Sequence, residues 1–201
     1  TLATGSAFAG INLGITKAIP FYDLPAEFVA FGNGRIGAVP NLLIVPLIAT
    51  ALLLVFFSRT VTGRHLLAVG GNSHAAELSG LSPNRAIMVA HGLSGLFAAA
   101  AGILAVAQLG SAQPTIGADW LIISFAAPII GGASLSGGAI SIVGTFLAVV
   151  LIGLIQNAMV LLQVDPYWVT FLLGALILGA VWLNRFRAVR RDPLPLRATL
   201  G

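Results

Sequence analysis

The chain contains no cysteine and very few charged residues. Each of these shortages excludes particular kinds of functional site or protein class. Without cysteine, disulfides, thiol catalysis and cysteine-ligated metal sites are excluded. Only 8% of the 201 residues are Asp, Glu, Lys or Arg, whereas soluble domains average about 25%. With 58% hydrophobic residues and a mean hydropathy of +1.00, the chain is expected to lie in a membrane.

Charged side chains are also missing from the interiors of the long apolar runs. A proton- or ion-coupled transporter usually places a carboxylate or a basic relay there, so the sequence argues against that class. His91 is the nearest exception, and it stands close to the polar start of its run. No nucleophile–base set and no metal-ligand spacing is found. We therefore expect no catalytic residue, no metal site and no cofactor bound by this chain.

Five apolar segments are candidates for membrane helices, and a sixth is partial. A hydrocarbon core of about 30 Å needs roughly 20 helical residues. The sequence therefore predicts an all-α fold, a polytopic transmembrane helix bundle with about five spans plus a partial N-terminal one. In that partial segment, residues 1–19, we expect Gly5, Gly10 and Gly14 to make the helix irregular. The five segments are 41–57, 86–107, 119–130, 139–162 and 167–183.

Arginine indicates the side of the membrane on which each connecting segment lies. Residues 58–85 hold three Arg and the tail 185–201 holds five, whereas residues 108–119 hold no Lys or Arg. By the positive-inside bias, segment 58–85 and the tail are cytoplasmic, so an even number of crossings separates them and segment 119–130 must cross. We expect a membrane domain over 1–184 and a basic cytoplasmic tail over 185–201. Since the Arg lie at the ends of apolar runs, the sequence pI of 10.7 does not indicate nucleic-acid binding.

Residues 70–81, the polar island, interrupt two long apolar runs. Ser73 is a candidate N-cap, residues 74–79 are enough for about two helical turns, and Gly80 can leave the helix in the left-handed conformation. A short exposed helix held between two spans suits a contact that passes motion to a soluble partner; the alternative is an ordinary interhelical loop. The residues of this candidate contact are Asn72, Ser73, Ala75, Ala76, Glu77, Leu78, Ser79 and Gly80.

A second polar stretch, the glycine-rich turn, covers residues 131–138. A phosphate-binding loop would need a Lys before its Ser or Thr and a preceding strand, and neither is present, so nucleotide binding is not expected. We interpret the stretch as a tight cytoplasmic turn between two close helices, which either only packs helices or borders an inner gate. Its candidate residues are Gly131, Gly132, Ser134, Ser136, Gly137 and Gly138.

Uncharged polar side chains mark a candidate path for a hydroxyl-rich solute. Ser111 and Gln113 lie in a polar loop expected on the outer side, for which the alternative is a solvated loop before a helix. Gln156 and Asn157 lie in the middle of the fourth apolar run. Amides in lipid are costly unless they are partnered, so the latter two either line a path or link helices. For the glycines within helices, namely Gly92, Gly95, Gly102, Gly144 and Gly153, we expect close helix packing.

Three motifs follow one another along the chain. The first is Gly63-Arg64, Gly70-Gly71-Asn72, Ala75-Ala76 and Leu78-Ser79-Gly80; the second is Gly110-Ser111-Ala112-Gln113-Pro114-Thr115; the third is the glycine-rich turn with Ile130 before it. In this order they resemble the membrane permeases of ribose-type sugar importers of the ATP-binding-cassette (ABC) class, within the branched-chain amino-acid and sugar permease superfamily.

The resemblance implies a bacterial inner-membrane permease subunit that translocates a monosaccharide, ribose or a related sugar. It implies a second permease subunit as a homodimer partner, a cytoplasmic ATPase that carries ATP and Mg, and a periplasmic or lipid-anchored sugar-binding protein. The polar island would be the coupling helix seated on the ATPase. Since family members are longer at the N-terminus, this chain is expected to be an N-terminally truncated fragment. The alternatives are a permease for branched-chain amino acids or another small polar solute, and a passive channel or facilitator.

Overall fold

The computed structural model describes residues 2–118, 120–134 and 137–165, together with residues 168, 171, 174, 175, 178, 179 and 182. The chain divides into two compact units, Thr1–Leu121 and Ile122–Gly201, which are described separately. In the first unit the elements are α1 (Leu2–Thr16), α2 (Ala26–Asn33), β1 (Arg35–Ile36), β2 (Val39–Pro40), α3 (Asn41–Arg59), α4 (Val61–Gly71), α5 (Ser73–Leu78) and α6 (Pro83–Leu109). Helix α7 (Trp120–Ile130) lies almost wholly in the second unit, which also contains α8 (Ile142–Leu161).

The all-α membrane architecture is confirmed. Three described helices, α3, α6 and α8, are long and apolar enough to cross a membrane, and α7 is a shorter apolar helix. Each long helix falls on a predicted span. Helix α6 extends further than predicted because Pro83 takes the first helical position, where no backbone N–H is needed, and Gly110 ends it with a φ of +63°. The predicted span 167–183 falls largely outside the described residues, and the tail 185–201 falls wholly outside them.

Helix α1 corrects one expectation. It runs without interruption from Leu2 to Thr16, although Gly5, Gly10 and Gly14 were expected to make it irregular. Glycine lowers helix propensity by about 1 kcal/mol relative to alanine, but it keeps its N–H and does not break the hydrogen-bond ladder. The helix ends at Lys17 and Ala18, which both take positive φ values of 51° and 57°.

Within the first unit, the short helix α2 packs closely on the last turns of α6. A Cβ built on Gly32 would overlap the carbonyl of Ala107, so only glycine allows this approach. The Asn33 amide donates to the Gln108 carbonyl at 3.4 Å. The β1–β2 hairpin that follows pairs Arg35 with Pro40 and leads directly into α3. This anchoring holds the C-terminal end of α6 and the start of α3 in one structure.

The buried interior is small and built mainly of alanine. In the second unit, Ala126, Ala127, Ala148 and Ile152 form one buried cluster. Small side chains let helices approach where no hydrophobic force drives their association. At Gly92, Gly95, Gly102 and Gly153 a Cβ would meet no described atom within 4 Å beyond the backbone of its own helix, so close packing at these four stays a prediction. Only Gly144 of the predicted set lies against another backbone segment.

Candidate functional site

The candidate site begins at the turn from α3 into α4, which Thr60 fixes. The Thr60 hydroxyl accepts from the Gly63 N–H at 3.0 Å and donates to the Phe56 carbonyl at 2.6 Å. Gly63 is buried against the backbone of the last turn of α3, where a Cβ would overlap the Phe56 carbonyl. The glycine of the Gly63-Arg64 pair is thus required for space. The sequence analysis did not predict α4, although Thr60 followed by Gly63 is a usable N-cap signal.

Asn72, and not Ser73, caps the start of α5, which corrects the predicted N-cap. The Asn72 Oδ1 atom accepts from the Ala75 N–H at 2.9 Å. Asn72 has the extended backbone of a cap (φ −156°, ψ 99°), whereas Ser73 is already the first helical residue. The Asn72 N–H also donates to the Ala68 carbonyl at 3.1 Å, so this one residue closes α4 and opens α5.

The end of α5 is closed as predicted, with Gly80 in the left-handed conformation at a φ of +82°. The Gly80 N–H donates to the Glu77 carbonyl at 2.9 Å and the Leu81 N–H donates to the Ala76 carbonyl at 3.0 Å. These two bonds form a Schellman motif, which satisfies carbonyls that would otherwise be unpaired. The Ser79 hydroxyl adds a bond to the Ala75 carbonyl at 2.9 Å. A helix of six residues is therefore fixed at both ends.

Side-chain exposure divides the polar island into an inner and an outer set. Ala76 is only 5% exposed and seats α5 on its own chain, whereas Leu78 is 78% exposed. The remaining candidates, Asn72, Ser73, Ala75, Glu77, Ser79 and Gly80, are exposed. The expectation that both alanines lie against a partner therefore needs revision, because the Ala76 methyl group is covered by this chain. Leu78 is the large apolar side chain that the polar island exposes.

A groove of about 360 Å³ lies between α4 and the first turns of α6, beside the polar island. We call it the α4–α6 groove. Exposed His65 and Arg85 are on its wall, and its apolar lining is Leu66, Val69, Leu81, Ala86 and Val89. The sequence analysis missed this feature. The signal for it was the i, i+3 spacing of Leu66 with Val69 and of Ala86 with Val89, on two segments not recognised as neighbours.

The glycine-rich turn in the second unit uses its glycines for two different purposes. Gly132, Gly137 and Gly138 have φ values of +89°, +89° and +78°, which glycine adopts most readily. Gly131 has no positive φ, but a Cβ there would overlap the backbone of Gly144 and Thr145 at the start of α8. The Gly132 N–H donates to Ile129 and the Ala133 N–H to Pro128, which is again a Schellman motif. Ser136 lies outside the described residues, and Ser134 is half-buried.

The loop that contains Ser111 and Gln113 is held by other segments of the first unit. Ser111 is only 5% exposed, while Gln113 is exposed. The neighbouring Ala112 exchanges two backbone hydrogen bonds with Phe21, at 2.8 and 2.9 Å, and the Asn12 amide donates to the Pro114 carbonyl at 3.2 Å. The loop is thus tied to two other segments of the first unit, while the Gln113 side chain stays exposed.

Gln156 and Asn157 lie on α8 in the second unit, and they differ in exposure. Gln156 is half-buried and Asn157 is exposed. No group of three or more His, Asp or Glu that could hold a metal ion is found in the part of the chain that the structure describes.

Residues 3–181 match the family described as branched-chain amino acid transport system / permease component. The chain is 38% identical over 187 residues to the ribose import permease protein of Bacillus subtilis, covering 92% of this chain and 58% of that protein. It is 35% identical over 185 residues to the D-allose transport system permease protein of Escherichia coli, covering 92% and 57%.

A third relative is the galactose/methyl galactoside import permease protein of Escherichia coli. It is 32% identical over 171 residues, which is 85% of this chain and 50% of that protein. The chain thus spans between half and three fifths of the length of these three relatives. No solved structure matches the chain.

Proposed function

The chain belongs to the family of branched-chain amino acid transport system permease components, and from this membership we propose that it is the membrane-spanning permease subunit of a monosaccharide importer of the ABC class. Three of its relatives are named as permeases for ribose, allose and galactose, and each match covers most of this chain. The preference for a sugar over a branched-chain amino acid rests on those relatives and on the uncharged Ser111, Gln113, Gln156 and Asn157.

The observation that carries the coupling role is the construction of α5. It has six residues, a side-chain cap at Asn72, a Schellman motif at Gly80, and one buried anchor, Ala76. A helix this short is not stable alone, so its order comes from the caps and from the neighbouring helices. We propose that α5 is the coupling helix, that Ala75, Glu77 and Leu78 face the ATPase, and that Ala76 positions the helix.

The partners follow from the same proposal. A second copy of the chain completes the pathway, a cytoplasmic ATPase binds ATP and Mg, and a periplasmic or lipid-anchored binding protein delivers the sugar. The protein lies in the bacterial inner membrane with the polar island and the C-terminus in the cytoplasm. The glycine-rich turn borders the inner gate, and the loop with Ser111 and Gln113 faces the outer side.

The test uses the full-length protein reconstituted in vesicles with its ATPase and sugar-binding protein. We expect sugar uptake only with all components present, and ATPase stimulation by the sugar-loaded binding protein. Leu78→Asp removes the exposed apolar contact without touching the buried anchor and should abolish stimulation. Uptake by the permease alone would instead identify a passive facilitator. Stimulation by leucine or valine, and not by sugars, would identify the amino-acid alternative.

Membrane orientation is tested separately by cysteine labelling, since the chain has no native cysteine. A cysteine at Ser73 or Ala188 should react only from the cytoplasmic side. The outer reporter belongs at Gln113, because Ser111 is 5% exposed and would label poorly from either side. Labelling of Ser73Cys from the outside would overturn the orientation.

A further inference from the structure

The α4–α6 groove combines a cationic wall with an apolar lining. His65 from α4 and Arg85 from α6 both line it, and neither side chain has an ion-pair or hydrogen-bond partner among the described residues. The imidazole and the guanidinium can both donate hydrogen bonds to a phosphate oxygen. Its apolar residues, Leu66, Val69, Leu81, Ala86 and Val89, cannot contribute to that contact and would instead adjoin a hydrocarbon chain. A molecule that fills the groove should therefore carry an anionic group joined to an apolar tail.

The length of α6 places this groove at the membrane boundary. Its 27 residues extend for roughly 40 Å at 1.5 Å per residue, against a hydrocarbon core of about 30 Å. With the excess divided equally between the two ends, the first three residues, up to Arg85, lie outside the hydrocarbon. Val89 stands one turn further along the helix. The groove thus runs from the headgroup level into the acyl region.

Charge favours an anion at this position. Residues 58–85 contain Arg59, Arg64 and Arg85 against the single carboxylate Glu77. We propose that the α4–α6 groove is a binding site for one anionic phospholipid, with its phosphate at Arg85 and His65 and an acyl chain along Leu66, Val69 and Val89. A bound lipid would brace α4 against α6, the two helices that flank the proposed coupling helix. The inference rests on the proposed function only for the leaflet, which is the cytoplasmic one.

The test uses the full-length protein, delipidated in detergent and titrated with dioleoyl phosphatidylglycerol or dioleoyl phosphatidylcholine, with bound lipid counted by native mass spectrometry. A basic residue at the membrane surface changes the affinity for anionic lipid by about fivefold, so we expect that preference for phosphatidylglycerol. Arg85→Gln should remove the preference. Ala86→Phe, which fills the groove and keeps every charge, should remove the bound lipid itself.

Arg64→Gln is the matched control. It removes one positive charge from the same segment, but Arg64 does not line the groove. The control should keep the preference within about twofold, because its charge acts only from a distance through screening ions. Equal losses in Arg64→Gln and Arg85→Gln would overturn the proposal in favour of diffuse attraction. Unchanged lipid binding in Ala86→Phe would also overturn it.

The ATPase provides the last arm of the test. If Arg85→Gln leaves lipid binding intact and weakens only binding of the ATPase, the groove is a protein-docking surface and the lipid proposal is wrong. None of these measurements uses sugar or transport. Their failure is therefore distinguishable from failure of the proposed import function, and correct folding of each variant is checked by its elution as a single species.

Discussion

The polar island and the glycine-rich turn are both short breaks between apolar helices. The helix before each ends in the same backbone motif, but the residues around that motif are packed differently. Gly80 follows the end of α5 and Gly132 follows the end of α7, each with a positive φ within a Schellman motif. Open space surrounds both of them. In the glycine-rich turn, however, the residue before the exit, Gly131, touches the backbone of Gly144. The comparison distinguishes two reasons for a glycine. At Gly80 and Gly132 the backbone needs a positive φ, whereas at Gly131 a side chain would overlap a neighbouring backbone segment.

The largest expected effect is at the contact between Gly131 and Gly144. Gly131→Val would force two backbone segments apart, and overpacking of this kind costs typically 1–3 kcal/mol or more. Gly132→Ala should cost only about 1 kcal/mol, because its Cβ has room and only the positive φ is unfavourable. Thermal unfolding of the full-length protein in detergent measures both.

Asparagine sharpens the same comparison, because it tolerates the left-handed conformation better than alanine does. Gly132→Asn should recover part of the stability that Gly132→Ala loses, whereas Gly131→Asn should remain as unstable as Gly131→Val. If Gly131 and Gly132 respond alike to both replacements, the distinction between space and conformation does not hold.

The next effect separates the inner from the outer face of α5. Ala76→Trp places a large ring where the methyl group is covered, so it should lower stability by about 1–3 kcal/mol and also abolish ATPase stimulation. Ala75→Trp adds the same ring on an exposed face and should block stimulation with no loss of stability. The two readouts are the unfolding midpoint and the ATPase rate with sugar-loaded binding protein. A stable Ala76→Trp protein with normal coupling would leave the polar island as an ordinary loop.

A smaller effect is expected at the N-cap of α5. Asn72→Ala removes the bond to the Ala75 N–H, and loss of such a cap costs about 1 kcal/mol. Ser73→Ala should change stability by no more than a few tenths, since Ser73 is inside the helix and does not cap it. Amide hydrogen exchange across residues 72–81 is the measurement, with faster exchange expected only in Asn72→Ala. Equal exchange in the two variants would return the cap to Ser73.

The smallest effect concerns charge. Glu77 is exposed, and a rim ion pair with a basic residue of the ATPase would contribute at most on the order of 1 kcal/mol. Glu77→Gln should therefore reduce stimulation mildly, by less than Leu78→Asp does, and the difference from the wild type should shrink as salt is raised. A complete loss in Glu77→Gln would mean that the pair is buried in the complex.

The sequence was sufficient to predict the helices with strong apolar character. Three predicted spans coincide with α3, α6 and α8, because length and hydropathy alone determine a lipid-facing helix. The cap at Asn72 could not be distinguished from one at Ser73, since both side chains can accept the same N–H and the choice depends on backbone angles. The α4–α6 groove was not predicted because it needs two segments that are about 20 residues apart in sequence to lie side by side.

Glycine positions show the other limit of sequence reading. Gly32, Gly63, Gly92 and Gly131 look alike as letters, yet a Cβ on Gly92 would meet nothing within 4 Å and one on each of the others would overlap backbone. Whether a glycine is in close contact depends on which other segment of the chain packs against it. The sequence around the glycine does not identify that second segment. Spacing alone therefore does not distinguish Gly92, Gly95 and Gly102 from the glycines that contact backbone within this chain.

The junction of α3 and α4 at Thr60 determines how far α5 moves when α4 rotates. Helix α4 has 11 residues, so it is a rod roughly 16 Å long at 1.5 Å per residue. Turning such a rod by about 10° moves its far end by roughly 3 Å, and that end is where Asn72 starts α5. Thr60 and Gly63 attach the near end of α4 to α3. A force applied to α5 would therefore turn α4 about this junction and be transmitted to α3. For the proposed coupling helix, the displacement of α5 per degree of rotation is set by the length of α4, and inserting or deleting one helical turn there would change it by about a third.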